Sequence, residues 1–431
     1  MIISGTSAPI RDFSLSLRTN FSWTLLGNLL YALSQWGFLI LLAKVLDSVA
    51  VGQFAFALAV TAPIIIFANQ GLTGLQATDA KGEFTFLDYF SCRLITTSLA
   101  FLFICVLSTF MGWPPVVIVV AAAKAVEALC DIKYGQYQRI DRMDRTAKSM
   151  ILRGTVSLVV AGVLLSARRS IAWAAAGLLV ANVVGLLVHD YRPQISRLRS
   201  GSRVFAWREV GRMFGRPRRN ELFVQAFPLG VAAMLSSLTS SIPRYFIDHY
   251  SGAALLGIFS AVMYLLIAGR TLVTALAQSC VAQLSRFYIE RNGPSFRRLL
   301  CRQMLVGLLL GAAGVLCSLV AGKFLLRVLY RPEYADYSNV LLLVMFAAAL
   351  NYLAEFSNGG LLAVRAIKVQ PVILALCAAL ILFLSFALVP RFGIVGGAWA
   401  VVITSAFQLA ANLYCLVSVP FSQAVPAASV C

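Results

Sequence analysis

The fold class this sequence predicts is an all-α integral membrane protein, with twelve transmembrane helices in two six-helix lobes related by a pseudo-two-fold axis along the membrane normal. Three observations predict it. The 431 residues are 60% hydrophobic and 12% charged, with a mean hydropathy of +0.84, whereas soluble domains are roughly half apolar and about a quarter charged. The apolar residues gather in blocks that meet the length of about 20 residues needed to cross a bilayer. Basic residues alternate in density from one connection to the next, as they do when successive loops lie on opposite sides of a membrane.

In chain order, Arg11 and Arg18 precede an apolar run from Asn20 to Ala43. That run is too long for a signal-peptide core of about 7–15 residues, so it is expected to be an uncleaved first helix over 20–44. Helices are then expected over 51–77, 88–112, 114–138, 148–166 and 171–190. Residues 191–220 form the longest polar stretch, rich in Arg, Ser and Gly with Trp207 and Phe214 interleaved. Such a composition suits either a solvated connector or a surface helix on anionic headgroups. A second set of helices is expected over 221–243, 253–282, 299–325, 338–364, 370–389 and 393–418. Pro63, Pro228 and Pro371 fall within or at the start of spans and mark kinks.

This division gives three units: an N-terminal lobe over 1–190, a basic cytoplasmic linker over 191–220 and a C-terminal lobe over 221–431. One set of ends and loops carries 25 Lys and Arg against 8 in the other, the 8 including Lys44, Arg244 and Arg331. The positive-inside rule therefore places both termini in the cytoplasm. The formal net charge of +19 is accounted for by orientation without any nucleic acid. The halves also echo each other: Asp47, Gly52 and Phe54 after the first helix resemble Asp248, Gly257 and Phe259 after the seventh. Six helices per half make these parallel repeats, and a substrate path is expected between them.

Charges within spans are costly and usually face a bundle interior or a wet cavity. Lys124, Glu127 and Asp131 are three and four residues apart, on one face of the fourth helix. They read equally as a salt-bridged strip and as a site. Arg270 lies near the middle of the eighth helix without an acidic residue on that helix. It is expected to face a cavity and await an anion, the alternative being a pair with Glu127 or Glu355. Asn351, Glu355 and Asn358 make one polar stripe on the tenth helix. Arg153 lies a turn inside the fifth helix and is expected to snorkel to the interface.

Several chemistries are excluded. No G-x-x-x-x-G-K-[S/T] loop occurs, and the two histidines, His189 and His249, lack metal-ligand spacing. The nine cysteines form no C-x-x-C pair and read as small buried hydrophobes. No metal or other cofactor is expected.

Pro228 to Gly230, Ser241 to Phe246 and Leu256 to Ala261 resemble the seventh and eighth helices of Wzx-type polysaccharide flippases, in the multidrug/oligosaccharidyl-lipid/polysaccharide flippase superfamily. So do Ala43 to Leu46 with Gly52 to Phe54, Gly135 to Gln138 with Arg142 and Met143, and Glu333 to Ser338. The resemblance implies a multi-pass protein of the bacterial inner membrane that is not an enzyme. It implies transport of undecaprenyl-diphosphate-linked oligosaccharide, an O-antigen or exopolysaccharide repeat unit, to the periplasmic leaflet by alternating access. Membrane lipids, a polysaccharide polymerase and a chain-length regulator are the implied partners. Arg270 and Lys124 match by type and depth the cations that would receive the diphosphate. Glu127, Asp131 and Glu355 suggest instead a coupling H+ or Na+, or the acidic cavity of a multidrug antiporter of the same superfamily. A peptidoglycan-precursor flippase is a further alternative, usually carrying more than twelve helices.

Overall fold

The computed structural model describes residues 15–79, 82–190, 218–366 and 369–418. Helix α1, Leu17–Val45, starts at Ser16, whose hydroxyl accepts from the Thr19 amide. Helix α2, Ser48–Asn69, starts at Asp47, which caps the Ala50 amide at 2.8 Å. The span expected over 51–77 is divided: Gln70 and Gly71 adopt left-handed backbone, and a short α3, Leu72–Thr78, follows. Thr85 and Asp88 form a capping box at the start of α4, Phe86–Met111. Then come α5, Val116–Arg139, α6, Met143–Ala167, and α7, Ile171–Val184. A π-helical turn, Gly185–Asp190, continues α7.

Helix α8 runs Arg218–Ile289, with one non-helical residue, Gly252, at φ 83°. Its 72 residues would reach about 108 Å if straight, against a hydrocarbon core of about 30 Å. The two limbs instead lie side by side, since Ser240 and Met263 line one cavity. The loop expected over 244–252 is thus reduced to one glycine, the residue that accepts positive φ without a Cβ clash. Helix α9, Gly293–Leu329, leads through a 3-10 turn, Pro332–Tyr337, into α10, Ser338–Ala363. Helix α11, Val369–Ser418, is broken in the same way at Gly393, φ 56°.

Among the described residues, nine helices are long and apolar enough to cross a membrane, and the chain is a multi-pass membrane protein. Helix α5 is of similar length, but Lys124, Glu127, Asp131 and Lys133 make it more polar. The basic connector expected over 191–220 lies, apart from Arg218 to Asn220, outside the described residues.

Helices α2 and α8 pack along their length. Phe67 meets Phe227 edge-on at 5.7 Å, and Tyr245 Oη donates to the Ala59 carbonyl at 2.5 Å. Gly52 and Gly257 face one another at this crossing: a Cβ on Gly52 would strike the Ala253 carbonyl, and one on Gly257 the Ser48 carbonyl. The end of the molecule bearing Leu46 and Gly252, hereafter the far end, is tied further. Trp36 Nε1 donates to Tyr330 Oη at 3.0 Å, Tyr330 Oη donates to the Ala261 carbonyl at 2.9 Å, and Arg331 reaches the Lys44 carbonyl at 3.2 Å. Along α1, Phe38, Leu39 and Leu42 are buried, whereas Leu26, Leu29, Leu30 and Leu33 are exposed.

At the other, basic end, Arg218 NH1 donates to the Glu83 carbonyl at 3.0 Å. The loop holding Glu83 is organised by Asp79. Burial raises the pKa of this carboxyl, but donation from the Glu83 and Phe84 amides, with Arg139 nearby, outweighs it and holds Asp79 below its ordinary range.

Candidate functional site

Intramembrane charge collects in two clusters. The first is built on α5. Lys124 Nζ lies 2.7 Å from Glu127 Oε2, and Tyr31 Oη, from α1, donates to Glu127 Oε1 at 2.6 Å. Asp131, one turn on, pairs with Arg153 of α6 at 3.5 Å. The strip read from the sequence is therefore only half self-neutralising.

Arg153 corrects the expectation that it snorkels: its side chain is 2% exposed. The stem crosses Gly185, where a Cβ would collide with it. Its guanidinium carbon lies 5.4 Å from the Tyr31 ring centre and 5.5 Å from that of Tyr134. Two aromatic faces and a carboxylate give the charge a setting inside the protein, though Nε and NH1 remain without a partner. The cluster continues through Tyr134 Oη to Ser149 Oγ at 2.8 Å, Ser149 Oγ to Asp190 Oδ2 at 3.1 Å, and Asp190 Oδ1 to His189 Nδ1 at 3.2 Å. The π turn brings the Asp190 carboxylate into this chain, a use that single π turns often have.

The second cluster belongs to the C-terminal half. Arg270 NH2 lies 3.3 Å from Glu355 Oε2, with the arginine side chain 41% exposed and the glutamate 14%. The expectation of an unpaired arginine is corrected in favour of its stated alternative, the pair with Glu355, because α10 carries that residue against the second limb of α8. Arg270 nevertheless lines a cavity of about 70 Å³ together with Asn351, Ser236, Thr239 and Gln408. The Asn351 Oδ1 and Thr404 Oγ1 atoms at this cavity are buried without a partner. All of its lining comes from α8, α10 and α11, whereas the sequence places the path between the halves. Asn358 is set apart and accepts from Gln370 Nε2 at 2.8 Å.

A third cation was missed. Arg244, which the sequence groups with far-end loop charges, is only 6% exposed within α8, and its Nε and NH2 have no partner. Proximity to Pro243 gave no hint of burial. Tyr264, on the second limb, is within electrostatic reach of both Arg244 and Lys124. No hydrogen bond or ion pair joins the two clusters among the described residues, and no group of three His, Cys, Asp or Glu there is placed to hold a metal ion. The arrangement places cations, three of them paired with carboxylates, and amides within the apolar helices.

Residues 17–287 match the model of a family described as polysaccharide biosynthesis protein. The chain is 23% identical over 402 residues to the capsular polysaccharide biosynthesis protein CapF of Staphylococcus aureus, covering 92% of this chain and 98% of that one. Its fold is similar to that of the lipid II flippase MurJ in an inward closed conformation, with a TM-score of 0.70 at 13% identity over 94% of this chain and 89% of that one, and to that of a MOP superfamily transporter from Pyrococcus furiosus, with a TM-score of 0.63 at 15% identity over 94% and 95%.

Proposed function

The chain belongs to the polysaccharide biosynthesis protein family, and on that premise we propose that it is a flippase. Its cargo on this reading is an undecaprenyl-diphosphate-linked oligosaccharide, moved from the cytoplasmic to the periplasmic leaflet by alternating access. The observation that carries it is Arg270: a guanidinium that stays 41% exposed despite its pair with Glu355, within the apolar helices and lining a cavity. A diphosphate loses its hydration in hydrocarbon, and guanidinium donors replace that hydration bidentately. Lys124, paired with Glu127, and the buried Arg244 are further cations within the helices, outside this cavity's lining.

Twelve spans follow if the limbs of α8 and α11 are counted singly and α5 is added to the apolar helices. The facing of Gly52 and Gly257, equivalent positions of the two sequence echoes, supports lobes over 1–190 and 221–431 about a central axis. Both termini are then cytoplasmic, in the inner membrane, with residues 191–220 as the linker. The ties at Trp36, Tyr330 and Arg331 close the periplasmic end. No covalent bond changes, so the protein is not an enzyme, and a polymerase and chain-length regulator act on the cargo it delivers. Glu127, Asp131 and Glu355 each already hold a cation or hydroxyl. That disfavours an open acidic cavity for drug cations, and coupling to H+ or Na+ there requires the partner to move away.

The test is the lipid pool of a strain lacking the protein. Complete lipid-linked repeat units should accumulate, and wild type but not Arg270→Gln should clear them. A normal lipid pool with altered drug sensitivity overturns the proposal in favour of the antiporter.

A further inference from the structure

We propose that a cavity at the far end, distinct from the charged clusters, is a saccharide subsite that takes uncharged sugar rings. This rests on the flippase reading above. The cavity holds about 420 Å³, within the range of about 300–1,000 Å³ of small-molecule sites. Gln53 and Phe56 of α2, Trp113 at the α4–α5 turn, and Tyr245, Asp248 and His249 of α8 line it.

Its chemistry is that of carbohydrate recognition. A pyranose has an apolar C–H face and a rim of hydroxyls, so a site for it needs an aromatic platform flanked by planar hydrogen-bonding groups. Trp113 supplies the platform, and its edge-to-face contact with Phe56, 5.7 Å between centroids at 81°, fixes the indole's orientation. Gln53 offers a donor and an acceptor, Asp248 two acceptor oxygens, and His249 one of each when neutral. Neither Gln53 nor Asp248 spends its side chain on a hydrogen bond with another described residue. A tryptophan serving only as an interfacial belt faces headgroups, whereas Trp113 shares a concave wall with a carboxylate and an amide.

Charge separates this cavity from the arginine-lined one. No Lys or Arg lines it, and Asp248 does, so a diphosphate or a uronate is repelled and a neutral sugar accepted. The walls come from both halves of the chain and meet where Tyr245 Oη donates to Ala59. Movement of α8 against α2 therefore reshapes the site, so that a sugar held at the far end is released when the lobes turn.

The test uses the full chain in lipid nanodiscs and the oligosaccharide repeat unit cut from its lipid by mild acid, with the phosphates removed. Wild type should bind this free sugar. Trp113→Ala and Asp248→Asn should each weaken binding at least tenfold, and Trp113→Phe should retain most of it. Absence of binding to wild type at millimolar sugar, or wild-type binding by both Trp113→Ala and Asp248→Asn, overturns the subsite. Failure of the flippase reading shows separately, as the absence of lipid-linked substrate transport by wild-type protein in proteoliposomes.

Discussion

Replacing Arg153 by Met tests whether the buried cation of the N-terminal half is held by its neighbours. The substitution keeps much of the stem that crosses Gly185 and removes the contact to Asp131 and the two cation–π faces. Breaking a buried ion pair by removing one partner costs about 3–5 kcal/mol. Asp131 is 34% exposed, so water takes up part of its charge, and the low end, about 3 kcal/mol, is expected. Asp131→Asn alone leaves a guanidinium with 2% exposure facing a neutral amide and should also destabilise. The double variant removes both charges and should lose about 1–2 kcal/mol less than the sum of the single losses, within the range for residues in contact. Equilibrium unfolding in mixed SDS micelles measures all four corners of this cycle. Additive losses, or a loss below about 1 kcal/mol for Arg153→Met, would refute the reasoning and mean that Arg153 reaches water.

At the far end, Tyr330→Phe deletes two hydrogen bonds, the one from Trp36 that crosses between the halves and the one to the Ala261 carbonyl within the C-terminal half, each contributing about 0.5–1.5 kcal/mol. A membrane-impermeant thiol reagent should then label Leu256→Cys several-fold faster, whereas Tyr334→Phe, whose hydroxyl is buried without a partner, should not change the rate; equal rates in all backgrounds refute the seal. Gly52→Ala and Gly257→Ala should each lower stability by about 1–3 kcal/mol through overpacking. Combined, they should cost less than their sum, because one separation of α2 from α8 relieves both; strict additivity in the same unfolding assay counts against a shared contact. Asp79→Asn should lower the melting temperature at neutral pH. Because the folded pKa is depressed, the stabilisation is present above the unfolded value of about 3.9 and fades as pH falls through and below it, so wild type and variant should converge there and stay apart at pH 6.

Length and hydropathy were enough to show an all-helical, multi-pass membrane protein, since a bilayer asks for about 20 apolar residues whatever packs beside them. They failed where backbone geometry decides. Gln70 and Gly71 split one apolar run, because their positive φ is invisible to a hydropathy count. Gly252 and Gly393 shorten two expected loops to single residues. The echo of Gly52 in Gly257 was legible, but not that the two glycines touch, which depends on how α2 crosses α8.

The polar residues were legible as a set and illegible as partners. One helical face groups Lys124 with Glu127, and that pair forms. Arg153 and Arg270 each depended on a different helix. Depth alone suggested that Arg153 snorkels and favoured a free Arg270 with Glu127 or Glu355 as the alternative partner, whereas Asp131 reaches Arg153 from α5 and Glu355 reaches Arg270 from α10. Arg244, grouped by position with loop charges, ends up buried with two nitrogens unsatisfied. A buried cation without a carboxylate is costly in any fixed structure. That cost falls when an anion arrives or when the lobes part and admit water, which are the two events a flippase cycle supplies. The residue least legible in the sequence is thus the one whose environment most favours a change of state.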